Sequence, residues 1–348
     1  MDSRISKGDK PILSVLRGRA PKRPPMWFMR QAGRYLPEYR AVRAKHPDFV
    51  SFCHSPEDAA EVTLQPIRRY GMDAAILFAD ILLIPGAMGQ EVRFVKGEGP
   101  RLSPLLSGEL MKSLTAEGAA EKLSPVYETV RRVRAELAGD KALIGFAGSP
   151  WTVATYMING QGTKDPSSAR QLLFREPKLV DDLTAMLVDA TAEYLIAQAE
   201  AGADALKLFD SWAGGLSEDL FDRLCLEPNR EIARRVRKKV DVPILYFPKG
   251  CGALYEKVAK DGGFDALALD TQTPYAWARE RLAPHAVLQG GLDPLLVVQG
   301  GRPMREAAER IVEAYEGTPY IFNLGHGFVP ETPPEHVAEL VKVVRGEV

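Results

Sequence analysis

Met26-Trp27-Phe28-Met29-Arg30-Gln31-Ala32-Gly33-Arg34-Tyr35 opens with four apolar residues and turns at once into two arginines four positions apart. The apolar run Met26–Met29 has strand length. If the turn after it is helical, Arg30 and Arg34 share a face and repel each other. Gly33 instead permits a tight fold of the backbone in which both guanidinium groups converge. Two readings follow: a surface loop with solvated arginines, or a site that lacks its anion. Arginine holds carboxylates in a planar bidentate fork, so the second reading points to an acidic substrate.

Read as a first strand, this run has seven successors: Ala74–Phe78, Leu143–Phe146, Ala205–Leu208, Ile244–Phe247, Ala266–Leu269, Ala286–Leu288 and Tyr320–Leu324. Most are continuously apolar, as suits parallel strands buried on both faces. Helical periodicity lies between them at Pro56–Tyr70, Leu123–Ala138, Lys178–Ala201, Asn229–Lys239 and Pro303–Tyr315. Ser55 and Pro56 suit an N-cap and a first helical turn. Gly71, Gly202 and Gly263 each suit a helix C-terminus just before a strand. Eight βα repeats favour an α/β fold of the (β/α)8 TIM-barrel type over an open doubly wound sheet. No dinucleotide fingerprint follows a strand: Gly145-Phe146-Ala147-Gly148 leads into Ser149-Pro150-Trp151, expected to block the start of a helix. Glu91–Val95 and Arg101–Leu105 read as a β-hairpin insertion. Met157 to Pro166 reads as a loop near the active face. The expected organisation is one barrel domain over 1–348, with residues 1–20 a peripheral N-terminal extension.

Composition narrows the function. The 348 residues are 45% hydrophobic and 26% charged, with a net charge of −1, so no basic field argues for nucleic acid. Any anion site is local, and residues 30–45 carry Arg30, Arg34, Arg40, Arg43 and Lys45 against Glu38 alone. Cys53, Cys225 and Cys251 form no disulfide framework and suit a reducing, cytoplasmic setting. The polar segment Met1–Lys10 lacks a signal core, and no apolar run has membrane-spanning length.

In a barrel the chemistry collects at the C-terminal strand ends. Those ends offer Arg30 and Arg34, then Asp80, then Gly148, Ser149 and Tyr156, then Asp210 and Ser211, then Lys249, Asp270, Gln289 and His326. Asp80 lies inside Ile76–Leu83, where a carboxylate needs a positive partner or keeps a raised pKa. It reads either as a stabiliser of a cationic intermediate or as a structural carboxylate. His326, between Gly325 and Gly327, suits donation to a carboxylate or proton transfer, or a ring satisfied by backbone. Tyr156 offers a hydroxyl or a packed ring, and Ser211 a contact or only an N-cap. His46, His54, His285 and His336 have no partner spacing. Lys207 and Lys249 support a rival, a Schiff-base lyase. Metal ligation is weak, since Cys53-His54 has poor chelate geometry.

Pro25-x-Trp27-x-Met29-Arg30-Gln31-Ala32-Gly33-Arg34 resembles the signature of the uroporphyrinogen decarboxylase family. Gly145–Thr152, Phe78–Leu82 and Asn323–Gly327 are similar to further segments of that family, with Ser149 and Ala79 at positions that vary. The resemblance spans nearly the whole chain. It implies a cofactor-free, metal-free barrel, usually a homodimer, that converts uroporphyrinogen to coproporphyrinogen in haem and chlorophyll biosynthesis. It also implies roles for particular residues. Asp80 matches the aspartate that faces the pyrrole N–H groups. Arg30, Arg34, Tyr156, Ser211 and His326 match substrate-contacting side chains, and Arg30, Tyr156 and His326 are the candidates for catalytic proton transfer. The backbone at Gln31, Ala32, Gly33 and Phe146 would line the cleft, with Phe49 beside it. Remaining alternatives are a non-catalytic tetrapyrrole-binding protein and a zinc-dependent methyltransferase.

Overall fold

Continuous apolar runs do become strands buried on both faces. In a computed structural model describing residues 9–95, 98–105, 108–162 and 167–348, every residue of β4 (Ala142–Gly148), β5 (Ala205–Asp210), β6 (Ile244–Pro248), β7 (Ala266–Leu269) and β8 (Val287–Gly290) is buried. With β1 (Ala74–Ile76) and β9 (Tyr320–Ile321) they make a seven-stranded parallel sheet in the order β1-β4-β5-β6-β7-β8-β9. Each strand pairs with the next in the sheet. That order never reverses, so the sheet has no switch point of the doubly wound kind. Helices fill the connections, and the chain is an α/β fold around a curled parallel sheet.

The run Met26–Met29 is not a strand, contrary to the sequence expectation. It makes one parallel bridge, Met26 with Phe322, and then turns. Around that bridge the backbone bonds both ways. Phe322 N–H donates to Pro25 O at 2.9 Å, and Asp73 N–H donates to Met26 O at 2.9 Å. Met26 N–H reaches the Asp73 carboxylate at 2.9 Å. Residues just before β1 and just after β9 are thus joined through Pro25 and Met26.

Helices match expectation to within a few residues: Pro56–Tyr70, Ser124–Glu136, Pro177–Glu200, Glu227–Arg237 and Gly301–Ala314. Gly71, Gly202 and Gly263 all have positive φ, as helix exits demand. Ser149-Pro150-Trp151 does not block a helix. Pro150–Asn159 begins there, because a proline at the first helical position gives up only an N–H that has no helical partner. This helix also claims Met157–Asn159 from the expected loop, whose residues 163–166 lie outside the described residues.

The insertion after β1 contains the antiparallel hairpin β2 (Val92–Val95) and β3 (Gly99–Leu102), with its turn residues 96–97 outside the description. Phe94 packs on Phe49 with ring centroids 4.7 Å apart, which docks the hairpin on the short helix Phe49–Cys53 that precedes β1. Of the span 1–20, residues 1–8 are outside the described part. Pro11–Leu16 is a helix that buries Ile12 and Val15 against β4 and β9. No helix among the described residues is long and apolar enough to cross a membrane.

Candidate active site

The segment after Met26 is fastened before it delivers its arginines. Trp27 Nε1–H donates to Gln289 Oε1 at 3.0 Å, and Met29 N–H donates to Asn323 Oδ1 at 3.2 Å. Gln31 has no accessible surface. Its Oε1 accepts from Phe28 N–H at 3.0 Å and its Nε2 donates to Ala74 O at 3.1 Å, so its part is to lash the turn to β1. Between these ties Arg30 is held at φ +61°, the one non-glycine residue with positive φ among the described residues. Such a conformation costs about 1–3 kcal/mol and persists where surrounding contacts impose it. Gly33 supplies the tight approach expected of it: a Cβ there would lie 2.9 Å from Arg30 O. Gly327 does the same for the side chain, since its Cβ would lie 2.6 Å from Arg30 Cδ. The turn is not helical, and a helix begins only at Pro37. Ala32 and Gly33 are half-buried, and Arg34 is exposed.

Arg30, Asp80, Tyr156 and His326 all reach solvent. Yet burial is the largest influence on the pKa of each. Accessible atoms that are nonetheless surrounded by protein describe the wall of a recess. The recess holds charges within reach of one another. Burial lowers the Arg30 pKa, Arg34 lowers it further, and Tyr156 and Asp80 oppose that. Burial raises the Asp80 carboxyl to about 6, against the Leu82 N–H and the Arg30 charge, which pull it down. Leu82 N–H donates to Asp80 Oδ1 at 2.8 Å. Among the described residues no cation lies within ion-pair distance of Asp80, so its second oxygen is open.

Burial, Arg30 and Lys249 together hold the His326 pKa down to about 3, so the unliganded ring is neutral. The ring lies 6.4 Å from that of Phe247. Tyr156 comes from the helix Pro150–Asn159, and its ring meets Trp212 edge-on at 4.5 Å. Ser211 is half-buried directly after β5. Phe146 is buried and meets Phe209 edge-on at 5.6 Å. Phe49 is half-buried and touches Phe78 at 5.7 Å, two residues before Asp80. Sequence reading missed Tyr39, which feels the charges of Arg34 and Asp80, and the part of Gly327 under Arg30. A tyrosine on a helix face and a glycine beside a histidine carry no signal of that proximity.

The two lysines proved different. Lys207 is 2% exposed, with Nζ 4.8 Å from the Trp27 ring, 5.0 Å from Phe209 and 5.6 Å from Phe247. Burial lowers its pKa to about 7. Three ring faces offset part of that cost, each by about 0.5–2 kcal/mol. Lys249 is half-buried at the end of β6.

Two other acids near these strand ends are consumed. Asp210, fully buried, accepts from Thr152 Oγ1–H at 2.6 Å and from Tyr246 O–H at 3.0 Å. Cys225 lies on a π-helical turn at Asp222–Leu226, and burial and then the Asp210 charge push its thiol pKa up. Asp270 accepts from Gly250 N–H at 2.7 Å, Gln272 N–H at 3.0 Å and Thr273 Oγ1–H at 3.0 Å. Away from the recess, a hollow of about 480 Å³ is lined by Arg230, Arg234 and Arg237, but these pair with Glu227, Glu231 and Asp265. No group of three or more His, Cys, Asp or Glu among the described residues is placed to hold a metal ion.

Residues 7–347 match the family model described as uroporphyrinogen decarboxylase (URO-D). A uroporphyrinogen decarboxylase of Caulobacter vibrioides is 52% identical over 346 residues, covering 99% of this chain and 98% of its own. One of Rhodospirillum rubrum is 49% identical over 341 residues, covering 98% of each chain. Among solved structures, a methyltransferase from Methanosarcina mazei superposes with a TM-score of 0.79 at 19% identity and 98% coverage of both chains, a likeness of fold. Matched by the family model over residues 7–347 and about half identical to these relatives along nearly its full length, the chain belongs to the uroporphyrinogen decarboxylase family.

Proposed function

We propose that this chain is a carboxy-lyase that removes CO₂ from the four acetate side chains of uroporphyrinogen III, giving coproporphyrinogen III for haem and chlorophyll synthesis. The observation that carries the reading is Asp80: an enclosed carboxylate with an open oxygen, within reach of the Arg30 charge but in no ion pair with it.

The chemistry needs that combination. An acetate on a pyrrole loses CO₂ once a proton adds to the ring carbon next to the one that bears it, which places part of the positive charge on the acetate-bearing carbon. The bond to the carboxylate breaks, and its electron pair neutralises the cation spread over the ring. A proton then adds at the exocyclic carbon and the ring proton leaves, so each turn consumes one proton and releases one CO₂. Asp80 faces the pyrrole N–H groups and stabilises the cation as it develops. A fixed group of this kind contributes about 3–4 kcal/mol, or about 10²–10³ in rate. Arg30 and Arg34 clamp carboxylates of the macrocycle. Tyr156, Ser211 and neutral His326 complete the hydrogen bonding, and Phe49 and Phe146 supply apolar wall. Arg30 keeps too high a pKa to give up its own proton readily, so its part is positioning or proton delivery through water.

The same reading extends to the assembly. Pro25 and Met26, bonded on both sides, act as an eighth stave that completes a (β/α)8 barrel. Residues 1–348 then form one domain. The enzyme works in the cytoplasm as a homodimer without metal or organic cofactor, as the family resemblance implies. An anaerobic assay with uroporphyrinogen III, following products by chromatography, tests the reading. Stepwise loss of up to four carboxyl groups is expected, and tight binding without CO₂ release would leave only a tetrapyrrole carrier.

A further inference from the structure

Pro248-Lys249-Gly250 is a rigid turn. Lys249 N–H donates to Asp210 O at 3.0 Å, and Gly250 N–H donates to Asp270 Oδ2 at 2.7 Å. Gly250, at φ +78°, lies against Gly214, where a Cβ would come within 2.8 Å of Gly250 O. The turn is therefore seated on the strand ends to either side of it. Its lysine is half-buried and makes no side-chain hydrogen bond or ion pair among the described residues.

Its two acidic neighbours do not need it. The Asp210 oxygens are taken by Thr152 and Tyr246, and those of Asp270 by Gly250, Gln272 and Thr273. Elsewhere Lys141, Lys178, Lys257 and Lys260 all lie beside carboxylates. A half-buried ammonium without a counter-ion, beside two satisfied acids, leaves a place for an anion from outside. That place borders the recess, because Lys249 follows the strand end that carries Phe247, whose ring lies 6.4 Å from that of His326, and its charge acts on the His326 ring together with that of Arg30. Arg30 arrives from the turn after Met26, and Lys249 from the end of β6.

We infer that Lys249 is a third carboxylate-binding cation of the site, gripping a carboxylate arm of the substrate across His326 from Arg30. This rests on the decarboxylase reading and adds a specificity-determining residue to it. Lys249→Met is expected to raise KM for uroporphyrinogen III about ten- to a hundredfold, the range of one charge-assisted hydrogen bond. kcat should change by less than about threefold, and Lys249→Arg should restore most of the affinity. Added salt should narrow the gap between wild type and Lys249→Met.

A second measurement needs no substrate. In an NMR titration of the free enzyme, Lys249→Met should raise the His326 pKa, because one of the two charges opposing the imidazolium is gone. An unchanged KM in a folded Lys249→Met enzyme, with wild type active, overturns the inference. So does a His326 pKa that does not move. Borohydride trapping of substrate on Lys249 would also overturn it, by showing a covalent role. A wild type that releases no CO₂ from uroporphyrinogen III defeats the underlying reading instead.

Discussion

Asp80 follows the C-terminal end of β1 and Asp210 is the last residue of β5, at the same end of the parallel sheet, and burial drives both carboxyls up to about 6. Their surroundings differ in one respect. Asp210 is fully buried, with both oxygens accepting from Thr152 and Tyr246. Asp80 reaches solvent, has one backbone N–H on one oxygen, and leaves the other free. A raised pKa therefore does not mark a reactive group by itself. An accessible oxygen with no partner, facing cations that also lack one, separates the site from the scaffold behind it.

Paired substitutions make the largest test of that contrast. Asp80→Asn should lower kcat/KM by about 10²–10³ while leaving the fold intact. Asp210→Ala should act first on the fold. It leaves the Thr152 and Tyr246 hydroxyls without an acceptor in a dry interior, at a cost of about 2–5 kcal/mol. Activity assays beside thermal unfolding followed by circular dichroism distinguish the two. An Asp80→Asn enzyme that melts early, or an Asp210→Ala enzyme as stable as wild type, would erase the distinction.

The next effect comes from pH. Both acids have folded pKa values above their unfolded ones, so their contribution favours the fold below about pH 4 and is lost as pH rises through about 6. Asp80→Asn removes one of them. The variant should therefore be more stable than wild type near pH 8, by up to about 3 kcal/mol, and the gain should vanish near pH 4. Denaturant unfolding at several pH values measures it. Catalysis runs the opposite way. If ionised Asp80 is the working form, kcat/KM of wild type should fall about tenfold per pH unit below about 6. A flat acid limb would take Asp80 out of the rate equation.

Much of this fold was legible because its strands are continuous apolar runs separated by periodic helices. Five of the eight expected runs became inner strands of the sheet, and Ala74–Phe78 and Tyr320–Leu324 contributed its short edge strands β1 and β9. Met26–Met29 failed for a physical reason. Met26, Trp27 and Phe28 are as buried as strand residues. Periodicity senses burial and not ladder pairing, while Gln31 closes a turn across the run. At the site, Arg30 and Asp80 were legible as charges in apolar surroundings. Satisfaction was not. The Thr152 and Tyr246 bonds that retire Asp210 span 58 and 36 residues, and nothing local announces them. The same holds for Lys207, whose rings come from Trp27, Phe209 and Phe247.

The smallest effect tests whether the open half of the comparison depends on the shape of Arg30. Gly327 has no side chain where the Arg30 stem crosses it, and a Cβ there would come within 2.6 Å of Cδ, 2.7 Å of Cγ and 3.2 Å of Cβ. Gly327→Ala therefore displaces a flexible side chain and not the backbone. Stability should change by less than about 1 kcal/mol, because the arginine can swing aside toward solvent. The guanidinium cannot swing and also keep its place beside Asp80 and Tyr156. Loss of aligned positioning should cost about tenfold in kcat/KM, well below the cost of removing Asp80 itself. If Gly327→Ala keeps full activity while Arg30→Ala does not, the arginine acts through its charge alone, and its strained backbone contributes nothing to catalysis.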